Sequence, residues 1–257
     1  MASIHHEAYG SGQEIIICNG LSQSTANWRG LARQNQAFRW TLYDARGHGK
    51  SSHGEEPYTL DGHVADLLHV KAVCAVEKPV LLGFSHGGRV ALRAAAEYPE
   101  HFAALVLVSV GATVSAKRNA YTQSWANCLR LGGIQALAWS SLPAIVGRKI
   151  LERYTDLDML VKGTVARNQE AGLKATFAGM LDYPPPREDA QRIGLPALIM
   201  RGGEDPLVLQ EDLTQFRQWM PDVRTETFAD CGHTLALEEP ERFMAVLTAF
   251  IQDQIPG

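Results

Sequence analysis

Residues 79–98 read Pro79-Val80-Leu81-Leu82-Gly83-Phe84-Ser85-His86-Gly87-Gly88-Arg89-Val90-Ala91-Leu92-Arg93-Ala94-Ala95-Ala96-Glu97-Tyr98. Val80, Leu81 and Leu82 make a short apolar run suited to a strand buried on both faces. From Gly88 onward the residues are small and apolar at helical spacing, with Val90, Ala91, Leu92, Ala94 and Ala95 able to pack on a sheet. Between strand and helix stands Gly83-Phe84-Ser85-His86-Gly87, a Gly-x-Ser-x-Gly pattern. A serine on so tight a strand-to-helix turn needs small neighbours two positions away on each side, and Gly83 and Gly87 supply them. The turn lifts the Ser85 hydroxyl off the sheet at a helix N-terminus, whose dipole favours a developing oxyanion. Five residues recur by accident, so the reading rests on what else the chain contains.

With 257 residues, 46% of them hydrophobic and 20% charged, the chain can bury one large α/β core with an insertion. A net charge of −4 leaves no electrostatic footprint for nucleic acid. The most apolar stretch, Phe102 to Val114, is too short for a membrane span and is interrupted by Ser109 and Gly111. The N-terminal residues carry neither a basic region nor an apolar run, so no secretory signal is read there. Cys18, Cys74, Cys128 and Cys231 are scattered, which predicts reduced thiols, a cytoplasmic location and no disulfide or zinc site. His5 and His6 read as exposed strand residues with no third ligand at a useful spacing, and no metal or cofactor is expected.

Along the chain, strands are predicted at Ile4–Tyr9, Glu14–Cys18, Arg39–Tyr43, Ala103–Val108, Ala197–Met200 and Arg224–Phe228, besides the central one. Consecutive Ile15, Ile16 and Ile17 mark an interior strand. Helices are predicted near 25–36, 60–76, 207–220 and 240–252. From Ala112 to Gln191 only helical stretches occur, broken near Leu142-Pro143 and closed by Pro184-Pro185-Pro186. The pattern predicts an α/β fold with a doubly wound, mostly parallel sheet and a helical cap inserted after the strand that follows the serine helix. Its parts are a first core segment 1–111, a cap 112–190 and a second core segment 191–257.

A serine hydroxyl becomes a nucleophile only when a base takes its proton, and that base needs an orienting group. Asp205 follows one predicted strand in Gly202-Gly203-Glu204-Asp205-Pro206, and His233 follows the next in Cys231-Gly232-His233. Both stand at strand carboxyl ends, the edge where open α/β sheets place their sites. Together with Asp44-Ala45-Arg46-Gly47-His48-Gly49-Lys50-Ser51, these stretches match in type and order the α/β-hydrolase superfamily, which the chain resembles over nearly its whole length. The resemblance implies Ser85 as nucleophile, His233 as general base and then acid, and Asp205 as orienting carboxylate. It places the oxyanion donors at the backbone N–H groups of His86 and Leu21, with Asn19-Gly20 standing where the family usually has His-Gly. A serine at position 85 argues against the branches whose nucleophile is a carboxylate.

The implied activity is cleavage of a small carboxylic ester, thioester or lactone through an acyl-enzyme on Ser85. Two other readings stay open: an acyltransferase passing the same acyl group to an alcohol, and a ligand-binding receptor on a hydrolase fold. The His86 imidazole reads as a packing group, Arg46 and His48 as structural, Glu204 as a bystander to Asp205, and Cys231 as a small buried side chain. The family's usual core begins with an additional strand. Too few residues precede Gly10 for a hairpin, so about seven strands are expected. Residues 112–190 carry ten Lys and Arg against seven Asp and Glu. Such a basic, greasy cap would suit an acyl substrate with an anionic or carrier-bound handle, although charges of this kind commonly only solvate helix faces.

Overall fold

The computed structural model describes residues 2–54, 56–113, 115–220 and 222–255. Met1 and Gly257, the outer limits of the expected core segments, and Val114 of the expected cap lie outside the described residues. In chain order the elements are β1 (His6–Tyr9), β2 (Gln13–Cys18), α1 (Thr25–Gln34), β3 (Phe38–Tyr43), α2 (Leu60–Val73), β4 (Val80–Phe84), α3 (His86–Glu97) and β5 (Ala104–Val108). Then follow α4 (Ala116–Ile145), α5 (Arg148–Arg153), α6 (Leu157–Arg167), α7 (Glu170–Met180) and α8 (Arg187–Gln191). The chain returns to the sheet with β6 (Ala197–Gly202), α9 (Gln210–Trp219), β7 (Arg224–Phe228), α10 (Leu235–Glu238) and α11 (Pro240–Gln254).

The seven strands form one sheet in the order β1-β3-β2-β4-β5-β6-β7, parallel except for β1. Period-two alternation sorts its side chains into two layers. Ile16, Leu81, Leu105, Leu107 and Ile199 face α2, α3 and α9. Ile15, Ile17, Leu82, Val106 and Met200 face α1 and α11 through Trp28, Phe243 and Leu247. Burying one such Leu or Ile contributes about 1.5–3 kcal/mol. All six parallel strands end on one edge, which therefore gathers the loops after β2, β3, β4, β5, β6 and β7.

The single strand before Gly10 agrees with the expected count of seven. It is shorter than the predicted 4–9 and does not pair with β2: its partner is β3, antiparallel, with His6 opposite Tyr43. The residues before it leave the sheet for the 44–51 loop, where the His5 N–H donates to Ser51 Oγ and the Asp44 N–H donates to His5 O.

Among the described residues the segment between β5 and β6 contains helices and no strand. The break expected near Leu142-Pro143 falls just beyond it, where α4 ends at Ile145 and α5 begins at Arg148. Pro143 sits inside the last turns of α4, and the helix is interrupted at Gly132-Gly133, where Gly133 has φ 68° and ψ −166°, a conformation open to glycine alone. Trp125, Leu129, Leu137, Leu173 and Phe177 of α4 and α7 form their own apolar cluster, which also takes in Leu207 and Val208 and touches Leu21. The cap core is thereby joined to the loops at the sheet edge. The short α8 packs on α3 and α9 instead, held by Asp189 to Arg93 (3.0 Å). No helix among the described residues is long and apolar enough to cross a membrane.

Candidate active site

Ser85 occupies the joint between β4 and α3 with φ 51° and ψ −116°, a left-handed backbone that non-glycine residues adopt at a cost of about 1–3 kcal/mol. Two glycines permit it. A Cβ on Gly83 would stand 2.6 Å from the Ala91 Cβ, and one on Gly87 would stand 2.2 Å from the Cys18 carbonyl oxygen. The Ser85 N–H donates to Val108 O on the neighbouring strand (2.9 Å), which fixes the turn against the sheet.

The loop after β6 brings Asp205 and the loop after β7 brings His233 to this serine. His233 Nε2 lies 2.9 Å from Ser85 Oγ, and His233 Nδ1 lies 2.7 Å from Asp205 Oδ2. The other carboxylate oxygen of Asp205 accepts the N–H groups of Leu207 (2.8 Å) and Val208 (3.2 Å). Asp205 and His233 are both buried, and the Phe84 ring lies 5.2 Å from the imidazole. Glu204 turns the other way, half-exposed, toward Arg148 (3.6 Å). Such a chain of contacts can pass a hydroxyl proton to the imidazole while the carboxylate holds the Nδ1–H tautomer.

Three buried side chains brace these loops, and no spacing in the sequence announces them. Arg201, at the end of β6, donates to Val208 O, Gly203 O and Gln210 Oε1, so the acid loop is wrapped around its guanidinium. Glu238 accepts the Gly232 N–H with both oxygens (3.1 and 3.0 Å) and the Thr234 hydroxyl (3.1 Å). Ser109 donates its hydroxyl to His233 O (2.7 Å). Their only signal in sequence is a polar residue standing at a strand end or one helical turn past the histidine.

Leu21 and His86 flank the elbow. Gly20 packs against the Phe84 ring so closely that a Cβ there would lie 2.6 Å from it, so the loop after β2 rests on the residue before Ser85. Among the described residues neither the Leu21 N–H nor the His86 N–H donates to another group. Asn19 donates from Nδ2 to Tyr43 O, and Asp44 accepts the Thr25 N–H (2.6 Å) and the Lys50 N–H (2.8 Å), so the loop is tied to the end of β3. Within the Asp44–Ser51 motif, Arg46 forms a two-pronged pair with Asp66 (2.6 and 2.8 Å), and His48 Nδ1 lies 3.0 Å from Arg46 O.

The His86 imidazole is buried, stacked on Tyr183 and 3.1 Å from its hydroxyl. Burial pushes its pKa down to about 3, with repulsion from His48 and Arg89 adding to the effect. His63, perpendicular to it at 5.1 Å, is also held well below the ordinary histidine range by burial. Both rings are neutral packing groups. Cys231 is fully buried, and among the described residues no group of three or more His, Cys, Asp or Glu could hold a metal. A cavity of about 330 Å³ opens behind His233, lined by Pro143, Gly147, Arg148, Glu204, Pro206 and Gly232; Ser85 does not border it.

The family model described as alpha/beta hydrolase fold matches residues 14–240. The chain is 27% identical over 244 residues to 2-hydroxymuconate semialdehyde hydrolase of Pseudomonas putida, covering 87% of this chain and 80% of that one. It is 26% identical over 280 residues to the pimeloyl-[acyl-carrier protein] methyl ester esterase of Nitrosomonas europaea, covering 97% and 100%. The enol-lactonase of Burkholderia xenovorans LB400 superposes with a TM-score of 0.87 at 22% identity, over 97% of this chain and 96% of that one.

Proposed function

The chain belongs to the alpha/beta hydrolase fold family, and on that premise we propose that it hydrolyses a small carboxylic ester, thioester or lactone through an acyl-enzyme on Ser85. The observation that carries the reading is the continuous contact from Ser85 Oγ through His233 to an Asp205 whose second oxygen is already occupied. Ser85 Oγ attacks the carbonyl carbon while His233 Nε2 takes its proton. The carbonyl oxygen, now an anion, is received by the Leu21 and His86 N–H groups, each contributing about 3–4 kcal/mol to the barrier reduction. As the intermediate collapses, the C–O or C–S bond to the leaving group breaks and His233 returns the proton to it. Water then attacks the acyl-enzyme, gives its proton to Nε2, and releases the acid as Ser85 regains its hydrogen. Asp205 stays ionised throughout and stabilises the imidazolium. Hydrolase and esterase relatives support this chemistry in kind.

The substrate carries an anionic handle in this reading, and the cap charges narrow where it would sit. Lys162, Lys174, Arg148, Lys149 and Arg118 are engaged with Asp158, Glu170, Glu152, Glu239 and Asp212. Lys117, Arg130, Arg153 and Arg187 are exposed; Arg167 is half-buried, its Nε has no partner among the described residues, and no carboxylate offsets the desolvation that lowers its pKa. Its guanidinium lies back along its own helix over Gly163, while the next residue, Asn168, donates to Ser22 O (2.9 Å) in the loop after β2.

The test is labelling by a fluorophosphonate read by intact mass. One adduct on the wild-type chain and none on Ser85→Ala is expected, with acyl-ester turnover lost in parallel. Undiminished labelling of the Ala variant overturns the assignment, and discharge of a trapped acyl group by alcohol faster than by water replaces hydrolysis with transfer.

A further inference from the structure

Four non-glycine residues have positive φ among the described residues: Ser22, Ala75, Ser85 and Ser109. Ser85 is the elbow, Ser22 lies in the oxyanion loop, and Ala75 follows the end of α2. Ser109 has no such local reason. It sits at the end of β5 with φ 54°, 2% exposed, and a conformation costing about 1–3 kcal/mol persists there only because its surroundings determine it. Those surroundings are the three pieces of the site. Its hydroxyl donates to His233 O (2.7 Å), and its N–H donates to Met200 O (2.8 Å) on the strand that leads to Asp205. The carbonyl of its neighbour Val108 accepts the Ser85 N–H (2.9 Å).

We propose that Ser109 is a positioning residue that sets the height of His233 above Ser85 by holding the histidine's own carbonyl. The left-handed turn lets one residue reach two ways, its backbone into β6 and its side chain to the histidine loop. Glu238 holds the residues on either side of His233, through the Gly232 N–H and the Thr234 hydroxyl. Among the described residues, the His233 carbonyl receives no donor but Ser109. Without that hydroxyl a buried acceptor is left unpaired, and relaxing it moves the ring relative to both Ser85 and Asp205. The inference rests on the proposed hydrolase reading for its effect on rate, and on geometry alone for its effect on the ring.

The experiment compares Ser109→Ala, Ser109→Gly and Ser109→Cys with the wild type. Two readouts are taken: the second-order rate of fluorophosphonate labelling, and the downfield proton resonance of the His233 Nδ1–H. Glycine suits φ 54° but lacks the hydroxyl, so it separates the backbone from the hydrogen bond and keeps the test open if the alanine variant does not fold. Labelling should fall about 10–100-fold in Ala and Gly alike, with Cys between, KM for an ester changed less than threefold, and the downfield resonance shifted or lost. A glycine variant that labels at the wild-type rate with an unmoved resonance overturns the proposal and leaves only a backbone role. If the wild type itself does not label, the resonance decides alone: its loss in Ala and Gly upholds the positioning while the hydrolase reading falls, and its persistence removes the positioning.

Discussion

In an Asp205→Asn variant, the carboxamide oxygen stays where Asp205 Oδ1 now accepts the Leu207 and Val208 N–H groups, because an NH2 there would face two donors. The amide nitrogen is thereby directed at His233 Nδ1, 2.7 Å away in the native arrangement. That NH2 donates to Nδ1, so the ring proton must move to Nε2, the atom 2.9 Å from Ser85 Oγ that has to accept the hydroxyl proton. The variant is folded but holds its imidazole in the wrong tautomer. Turnover should fall about 10⁴-fold, equivalent to roughly 5 kcal/mol of barrier. KM should hardly change, and Tm should stay within a few degrees, since both loop acceptor bonds survive. Asp205→Ala loses those bonds as well and should cost about 2 kcal/mol of stability in addition. The assay is hydrolysis of a short activated ester across pH 6–9, with labelling of Ser85 as a check on the first chemical step. A variant retaining more than a tenth of wild-type turnover would refute the tautomer argument and remove Asp205 from its role.

Glu204→Gln should leave turnover within twofold of wild type, because the half-exposed carboxylate faces Arg148 (3.6 Å) and not the histidine; a loss matching that of Asp205→Asn would transfer the role to Glu204. Acidification should destabilise the fold through its buried histidines. His86 and His63 are held neutral by burial, so their contribution is complete above pH 6.5 and is lost as pH falls toward about 3 for His86, at about 1.4 kcal/mol per pH unit for each ring. Tm measured from pH 7 to pH 5 should therefore drop, and His63→Phe, which keeps a ring without a titratable nitrogen, should drop less; equal slopes would count against the buried pair. For an anionic acyl ester, kcat/KM should fall with added salt and by about tenfold in Arg167→Gln, while a neutral ester of the same length responds to neither. Equal responses would leave Arg167 without a part in recognition.

What could be read from the sequence follows from how local each feature is. Ile15-Ile16-Ile17 and Val80-Leu81-Leu82 are buried on both faces, so their runs disclose interior parallel strands without knowledge of their neighbours. Ser85, Asp205 and His233 sit in short motifs at strand ends, and the sheet's parallel sense brings those ends together. Pairing is less local: β1 precedes β2 by a three-residue turn yet pairs with β3, because residues 5 and 44–51 hold its start. The interruption at Gly132-Gly133 is not local in this sense, since φ 68° at Gly133 depends on how α4 packs on α6 and α7, whereas the end of α4 at Ile145 follows shortly after Pro143. Ser109, Arg201 and Glu238 escaped for a related reason. Each acts on a backbone group of a loop distant in sequence, and backbone groups leave no residue pattern.

The sequence separation of 148 from Ser85 to His233 also has a meaning in time. A ribosome adding about 5–20 residues each second delivers the histidine roughly 7–30 s after the serine. Throughout that interval the nascent chain carries a hydroxyl with no base beside it. β5 has its Ala104–Val108 edge waiting for β6, and the cap helices emerge before the acid and histidine loops on which they will rest. A chain released early, anywhere before β7, would keep the Gly-x-Ser-x-Gly turn and still lack the imidazole that could activate it. On the proposed assignment, Ser85 gains its base only after β7 and the loop that follows it have been made.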